Sequence, residues 1–233
     1  MNLEDRLDQV RTEYLQRISR GEGTLLREVE HYAASRTGKM LRPRMLLAAA
    51  ATLGDDVLNS RRTLLLAVAV EMLHNASLLH DDVIDNDLQR RGQPSVNARY
   101  GNATAVLVGD YLLAQIMHIL DEVDDRDATR RINQTVIAMT EAELLAQETL
   151  KKSNNQTIKQ YLSIIDGKTA RLFATAAALG NPACEEFGLH YGRLFQLRDD
   201  ITDGEATPFT EQLIRQEEAA LAAIKPTLTV LIN

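Results

Sequence analysis

Residues 76–85 read Ala76-Ser77-Leu78-Leu79-His80-Asp81-Asp82-Val83-Ile84-Asp85, an apolar helical pattern that ends in three aspartates. A second cluster, Asp199-Asp200-Ile201-Thr202-Asp203, repeats the same D-D-x-x-D spacing. Positions i, i+1 and i+4 lie toward one side of a helix, so each cluster is expected to aim three carboxylates in one direction. Neighbouring carboxylates repel unless cations neutralise them, and hard oxygen ligands suit Mg²⁺ that bridges to a phosphate. One such cluster is usually a solvated face, but two facing each other would hold a diphosphate through metal ions.

The rest of the chain favours an all-α fold. The chain has 233 residues, few prolines and glycines (5 and 12), and no tryptophan. Some stretches, such as residues 64–73, are apolar on all sides and belong at the centre of a bundle. We predict one domain over residues 1–233, a bundle of roughly 8–10 helices around a central apolar cavity. The predicted helices lie near 2–19, 24–35, 43–53, 59–86, 102–121, 127–151, 156–179, 182–203 and 209–224.

Composition argues against several other classes of protein. The formal net charge of −7 argues against general nucleic-acid binding. Cys184 is the single cysteine, so the sequence predicts no disulfide within the chain. The acidic N-terminus resembles no secretory signal, and no uninterrupted apolar run approaches the ~18 residues of a membrane span. The sequence therefore predicts a cytoplasmic location without a membrane span.

Basic residues accompany both aspartate clusters. Lys39 and Arg42 lie three residues apart just before a predicted helix, and such a pair can bind a diphosphate. Arg90 and Arg91 follow the first cluster, where ion pairs with Asp85 or Asp87 are an equally good explanation.

Two further positions allow both a functional and a structural interpretation. Lys168, followed by Thr169, lies within an apolar stretch, so it either reaches outward to solvent or serves an anion. His74 precedes Asp81 by two helical turns on the same face. A single histidine there is more often a core residue, although the nearby acidic cluster favours a phosphate contact.

Taken together, these motifs resemble the trans-polyprenyl (isoprenyl) diphosphate synthases. The matching residues run in order from Gly38 to Asp203 and include Gly109-Asp110 and Phe195-Gln196-Leu197. The resemblance implies an isoprenoid synthase-like fold and a transferase. Its catalytic set would be Asp81, Asp82, Asp85, Lys168, Asp199 and Asp200.

The resemblance also implies the cofactor, the substrates and their contacts. Three Mg²⁺ ions per site would be held by Asp81, Asp85 and Asp199, supported by Asp82, Asp200 and Asp203. The allylic substrate, geranyl or farnesyl diphosphate, would contact Arg90, Lys168, Thr169 and Gln196. The diphosphate of isopentenyl diphosphate would be held by Lys39, Arg42, His74 and Arg91. The family further implies a homodimer.

Product length is expected to follow from the residues one turn before the first cluster. Ala76 and Ser77 are both small, where an aromatic ring would block a growing hydrocarbon chain. The sequence therefore predicts a product of C20 or longer.

The chain departs from the family after Asp203, where only about 30 residues remain and the usual basic loop has no counterpart. We therefore expect a C-terminally abbreviated synthase. Two alternatives remain open. One is a non-catalytic or partner-dependent regulatory subunit, which the intact metal motifs oppose. The other is a terpene cyclase, which the second D-D-x-x-D and Lys39, Arg42 and His74 oppose.

Overall fold

The computed structural model describes residues 2–19, 24–34, 38–151 and 157–224, and this part of the chain is almost entirely helical. The α-helices are α1 (Leu3–Ile18), α2 (Thr24–Ala34), α3 (Leu41–Ala51), α4 (Asp55–Leu58), α5 (Arg61–Ile84), α6 (Val96–Tyr100), α7 (Asn102–Val123), α8 (Arg126–Lys151), α9 (Ile158–Ile165), α10 (Arg171–Gly180), α11 (Glu185–Asp203) and α12 (Thr210–Ile224). A π-turn (Asp166–Ala170) joins α9 to α10, and a 3₁₀ turn (Pro182–Cys184) precedes α11.

The all-α prediction is confirmed, and most predicted helices begin or end within a few residues of the observed ones. The predicted ends at residues 35 and 156 lie outside the described residues. Sequence reasoning missed the short helices α4 and α6, the π-turn, and a two-stranded hairpin (Gln89–Arg90 with Gln93–Pro94). All four are short, so none produces a periodic pattern long enough to recognise.

Contacts within the chain divide it into two compact units. The first unit comprises Met1–Arg44 and Asn59–Asp125, and the second comprises Met45–Leu58 and Arg126–Asn233. The predicted Lys39, Arg42, His74, Asp81, Asp82, Asp85, Arg90 and Arg91 belong to the first unit. The predicted Lys168, Thr169, Gln196, Asp199, Asp200 and Asp203 belong to the second.

Helix α5 forms the core of the first unit. Ser60 caps its N-terminus by accepting a hydrogen bond from the backbone N–H of Thr63 at 3.1 Å. All residues from Leu64 to Leu73 are buried, as expected for a helix that is apolar on all sides. Helix α7 packs along α5, and His80 Nε2 lies 3.2 Å from the carbonyl oxygen of Val106. This packing fixes the end of α5, where the first aspartate cluster lies.

Within the part of the chain that the structure describes, two helices are long and apolar enough to cross a membrane by length and composition alone, α5 and α7. The most apolar window of α5 is 72% buried within the protein, which core packing explains. The corresponding window of α7 is only 39% buried, so α7 presents an apolar surface that its own unit does not cover.

The second unit is built around α10 and α11. Every residue of α10 from Leu172 to Gly180 is buried, and α11 packs along it. A smaller cluster of Tyr161, Ile165, Leu197 and Leu213 joins α9, α11 and α12. These contacts place α12 against the part of α11 that carries the second aspartate cluster.

Candidate active site

The first aspartate cluster lies at the C-terminal end of α5, and its three carboxylates have different environments. Asp82 is 4% exposed, and its Oδ1 accepts a hydrogen bond from Arg90 Nε at 2.8 Å. Asp81 is partly exposed, and Asp85, the C-cap residue, is exposed. The expectation of three carboxylates aimed in one direction is therefore wrong for Asp82. On a helix Asp82 lies about 100° around the axis from Asp81 and about 60° from Asp85, and its bond to Arg90 holds it on the protein side.

A hairpin brings Arg90 to this cluster. Its turn residues, Arg91 and Gly92, have φ values of +53° and +73°. Positive φ at both central residues is the requirement of the type I′ turn that joins two short antiparallel strands. The turn directs the chain back toward α5, where Arg90 pairs with Asp82 and lies 3.4 Å from Asp87. The predicted contact of Arg90 with Asp87 is therefore present, but its closest acidic partner is Asp82, which the sequence did not predict.

Helix α6 fastens the hairpin to the end of α5. The buried Asn97 donates hydrogen bonds from Nδ2 to the carbonyl oxygens of Asp82, at 2.9 Å, and Asp87, at 3.1 Å. Ser95 Oγ donates to the Asp87 carbonyl at 2.7 Å. These bonds tie the last turn of α5, through the Asp82 carbonyl, to the segment that follows it, through the Asp87 carbonyl. The hairpin and α6, which the sequence did not predict, are thus the elements that position Arg90.

The predicted isopentenyl diphosphate residues lie mostly together in the first unit. Arg42 Nη1 is 3.1 Å from His74 Nε2, and the Arg91 guanidinium packs against Gly38. Burial, and then the positive charges of Arg42, Arg91 and Arg90, lower the pKa of His74 well below its usual 6.5. His74 is therefore neutral at pH 7 and can accept the hydrogen bond from Arg42. Lys39 is exposed on the segment before α3.

Glu71 is an acidic residue of this region that sequence reasoning missed. It lies one turn before His74 and is 2% exposed, and within the described residues its Oε2 accepts no hydrogen bond. Burial raises the pKa of its carboxyl group, while the positive charges of Arg42 and Arg91 oppose that rise. The available signal was a single acid within an otherwise apolar stretch of α5.

In the second cluster, the middle aspartate is again the buried one. Asp200 is 6% exposed; Gln196 Nε2 donates to its Oδ1 at 2.8 Å, and the Tyr161 hydroxyl donates to its Oδ2. Burial, and then the bond to Asp200, raise the pKa of Tyr161 above its usual 10.0, so its hydroxyl keeps its proton at neutral pH. Asp199 is partly exposed and Asp203 is exposed. Both clusters therefore turn the middle carboxylate into the protein.

The π-turn carries Lys168 and Thr169. Such single π-turns within a helix frequently occur at functional sites. Thr169 Oγ1 donates to Gln196 Oε1 at 2.6 Å, which links three predicted residues in the order Thr169, Gln196, Asp200. Lys168 Nζ lies 2.5 Å from Glu143 Oε2 of α8. The lysine is therefore neither directed only to solvent nor unpaired, and Glu143 is a second residue that sequence reasoning missed.

A cavity of about 610 Å³ lies beside these groups within the second unit. Its polar lining includes Lys168, Thr169, Gln196 and Asp200. Its apolar lining includes Tyr161, Ile165 and Phe209, the last from the segment between α11 and α12. A cavity with one cation, hydrogen-bonding groups and apolar walls suits a ligand that has a charged head and a hydrocarbon part.

The carboxylates present fit a hard divalent cation. Asp81 and Asp85, and likewise Asp199 and Asp203, are pairs four residues apart that remain at least partly exposed. Within the described residues, no three His, Cys, Asp or Glu side chains come close enough to hold a metal ion by themselves. Mg²⁺ commonly takes only one or two protein carboxylates and completes its shell with water and substrate phosphates. The donor set therefore matches a cation that binds together with its substrate.

The predicted product-length residues lie on α5, one turn before Asp81. Ala76 is 1% exposed, and Ser77 is partly exposed with its Oγ donating to the His74 carbonyl at 2.9 Å. Both side chains are thus small and at least partly enclosed by the first unit.

The chain resembles curated proteins over most of its own length. It is 39% identical over 188 residues to an all-trans-nonaprenyl-diphosphate synthase (geranyl-diphosphate specific) of Rhodobacter capsulatus, which covers 77% of this chain and 57% of that protein. It is 35% identical over 192 residues to a geranylgeranyl diphosphate synthase of Saccharolobus solfataricus, which covers 76% of this chain and 57% of that protein. The chain thus spans about three fifths of the length of these relatives.

The fold has close structural counterparts as well. A polyprenyl synthase of Caulobacter crescentus CB15, solved in complex with calcium and isoprenyl diphosphate, matches with a TM-score of 0.79 and 28% identity. The match covers 98% of this chain and 82% of the other. The polyprenyl synthetase family itself matches residues 23–212, a range that includes both aspartate clusters and the basic residues described above. The chain therefore belongs to the polyprenyl synthetase family.

Proposed function

We propose that the chain is a Mg²⁺-dependent transferase that condenses isopentenyl diphosphate head-to-tail with geranyl or farnesyl diphosphate to give a longer trans-polyprenyl diphosphate. One observation carries this proposal. In both clusters the middle aspartate is buried and hydrogen-bonded, which leaves the first and last aspartates as oxygen donors on the exposed side of the helix end. Family membership and the named activities of the relatives support it.

In the first unit, we assign Asp81 and Asp85 to the metal and Arg90 to the allylic diphosphate. The diphosphate of isopentenyl diphosphate is assigned to Lys39, Arg42, His74 and Arg91. A guanidinium offers paired donors to phosphate oxygens, and neutral His74 holds Arg42 without adding a competing charge. Asp82 is a supporting residue, because its carboxylate is already bound to Arg90.

In the second unit, we assign Asp199 to the metal, with Asp200 and Asp203 in support. Lys168, Thr169 and Gln196 are assigned to the allylic substrate. When bound, Mg²⁺ would supply positive charge that stabilises the leaving diphosphate. The carbon–oxygen bond of the allylic substrate then breaks, the double bond of isopentenyl diphosphate attacks the allylic cation, and a proton leaves to the released diphosphate. Apolar walls keep water from the cation.

We propose a product of C20 or longer. Ala76 and Ser77 are small, and a larger side chain at either position would project from α5 one turn before Asp81. The two relatives support the range rather than one value, since one is named for a geranylgeranyl product and the other for a nonaprenyl product. Ala76→Tyr or Ser77→Phe should shorten the product. Chromatography of dephosphorylated products checks this, and an unchanged product distribution in both variants would reject it.

We propose that the chain acts as a cytoplasmic homodimer. The exposed side of α7 supports this, because its large apolar side chains Leu107 and Met117 are 66% and 69% exposed. A second copy of the chain would remove that surface from water.

The direct test is incubation of the purified chain with Mg²⁺, labelled isopentenyl diphosphate and farnesyl diphosphate, with and without EDTA. Longer prenyl diphosphates that disappear with EDTA are expected. Binding of farnesyl diphosphate without elongation would instead favour a partner-dependent or regulatory subunit.

A further inference from the structure

Glu143 of α8 is an acidic residue close to the proposed allylic site. The proposed reaction gives this residue no role. Its side chain is 13% exposed, and its Oε2 is buried 2.5 Å from Lys168 Nζ. Lys168 is the one cation among the residues that line the cavity of the second unit, as far as the described residues show. The orientation of Lys168 is therefore restricted by a carboxylate that is largely shielded from solvent.

The backbone explains why this carboxylate reaches the π-turn. Gly167 lies directly on α8, where an added Cβ would be 2.3 Å from Ala142 Cβ and 2.8 Å from the Ala138 carbonyl oxygen. A residue with a side chain would not allow this approach. Since Lys168 follows Gly167 and Glu143 follows Ala142, the same contact brings the two charged side chains together.

The carboxylate is also held from its other side. Gln147, one turn further along α8, donates from Nε2 to Glu143 Oε1 at 3.2 Å. One oxygen of Glu143 thus accepts from the amide while the other faces the ammonium. The carboxylate has a fixed position from which it can orient a flexible partner.

A lysine side chain has a flexible four-carbon stem and about 2 kcal/mol of rotamer entropy. A lysine that must meet a diphosphate in one position benefits from a partner that restricts these rotamers in advance. A partly buried ion pair is also screened less by salt than an exposed one.

We propose that Glu143 is a positioning residue that holds Lys168 in the orientation needed to contact the allylic diphosphate. This inference rests on the proposed function. The alternative hypothesis gives Glu143 the opposite role, in which it neutralises Lys168 and weakens diphosphate binding. The two roles predict opposite signs for the loss of the Glu143 charge.

The test compares Glu143→Gln with wild type in steady-state kinetics with farnesyl diphosphate, isopentenyl diphosphate and Mg²⁺. Glu143→Gln should lower kcat/KM for farnesyl diphosphate roughly tenfold, as loss of a supporting partner commonly does, and leave KM for isopentenyl diphosphate unchanged. Glu143→Asp keeps the charge and should recover part of the loss. The matched control is Glu141→Gln, an exposed acid on the same helix, which should remain within about twofold of wild type.

A double-mutant cycle separates positioning from a general effect on the fold. In a Lys168→Met background, Glu143→Gln should cause no further loss, because the side chain that it orients is absent. An equal loss in both backgrounds, an unchanged kcat/KM, or a higher kcat/KM in Glu143→Gln would each overturn the proposal. If wild type itself fails to elongate farnesyl diphosphate, the proposed function fails instead, so the two failures are distinguishable.

Discussion

At the scale of single residues, the two aspartates at the ends of each cluster differ physically from the one in the middle. Asp82 is buried and bonded to Arg90, whereas Asp85 is exposed. We predict that Asp82→Asn lowers the free energy of unfolding by roughly 2 kcal/mol, because it removes the charge of a buried, paired carboxylate. Asp85→Asn should change it by less than about 0.5 kcal/mol. Denaturant titration of both variants checks this hypothesis.

Activity should separate the same two variants differently. Asp85→Asn should lose Mg²⁺-dependent elongation even though it stays folded, because a neutral amide is a poor ligand for a hard cation. Equal destabilisation by both substitutions would show that the inward and outward positions are not distinct.

His74 gives a prediction about pH. Its pKa is lowered well below 6.5 in the folded protein by burial and by Arg42, so below pH 6.5 the unfolded chain binds a proton that the folded chain does not. Above pH 6.5 His74 therefore does not reduce the free energy of unfolding. Below pH 6.5 the free energy of unfolding falls as the pH drops, by up to about 1.4 kcal/mol per pH unit. His74→Gln, which keeps a group that can accept from Arg42, should show a smaller fall between pH 6.5 and 5. Parallel curves for the two proteins, measured by denaturation at each pH, would contradict the assignment.

Residue spacing alone predicted which aspartates form clusters but not which one turns inward. The i, i+1, i+4 pattern places three carboxylates near one side of a helix, and the partner of the middle one decides its direction. The partner of Asp82 is Arg90, which lies on the hairpin. The partner of Asp200 is Tyr161, which is 39 residues away in sequence. Glu143 was missed for the same reason, since its partner Lys168 is not evident from local sequence.

At the scale of secondary-structure elements, the π-turn depends on close contact with α8. We predict that Gly167→Ala lowers the free energy of unfolding by about 1–2 kcal/mol, because its Cβ would overlap Ala142 Cβ and the Ala138 carbonyl oxygen. The same variant should reduce turnover of farnesyl diphosphate, because Lys168 moves with the turn. Thermal or denaturant unfolding together with kinetics provides the measurement.

A compensating variant tests whether the contact itself is responsible. Ala142→Gly removes the closest atom, so the double variant Gly167→Ala, Ala142→Gly should recover part of the activity that Gly167→Ala loses. The Ala138 carbonyl oxygen remains 2.8 Å from the added Cβ, which makes the recovery incomplete. If the double variant is no more active than Gly167→Ala, the overlap with Ala142 is not the cause.

The long helices were predictable because their apolar patterns extend over several turns. The π-turn was not, because it interrupts the predicted helix 156–179 without a proline or a change in composition. The turn is stabilised by neighbours on other elements: Arg193 of α11 donates to both oxygens of Asp166, at 2.5 and 2.7 Å. Arg193 Nη1 also lies 3.5 Å from Glu217 of α12. Local sequence does not contain these long-range contacts.

At the scale of the whole molecule, ordered motifs predicted family membership more securely than any single feature. The family matches residues 23–212, so it spans both compact units. Composition predicted the all-α class because alanine and leucine favour helices and the chain has few residues that break them. Oligomeric state was implied by the resemblance alone, and the exposed surface of α7 now gives it a testable location.

Leu107 lies on this surface with 66% of its side chain exposed, and Met117 is 69% exposed on the same helix. If a second copy covers α7, a charge at Leu107 would be buried without a partner, which strongly disfavours association. We predict that Leu107→Glu shifts the chain from dimer to monomer in sedimentation analysis, while Leu25→Glu, at a position 53% exposed on α2, leaves the dimer intact. A monomeric wild type, or a Leu107→Glu variant that sediments as wild type does, would show that α7 is not the dimer surface.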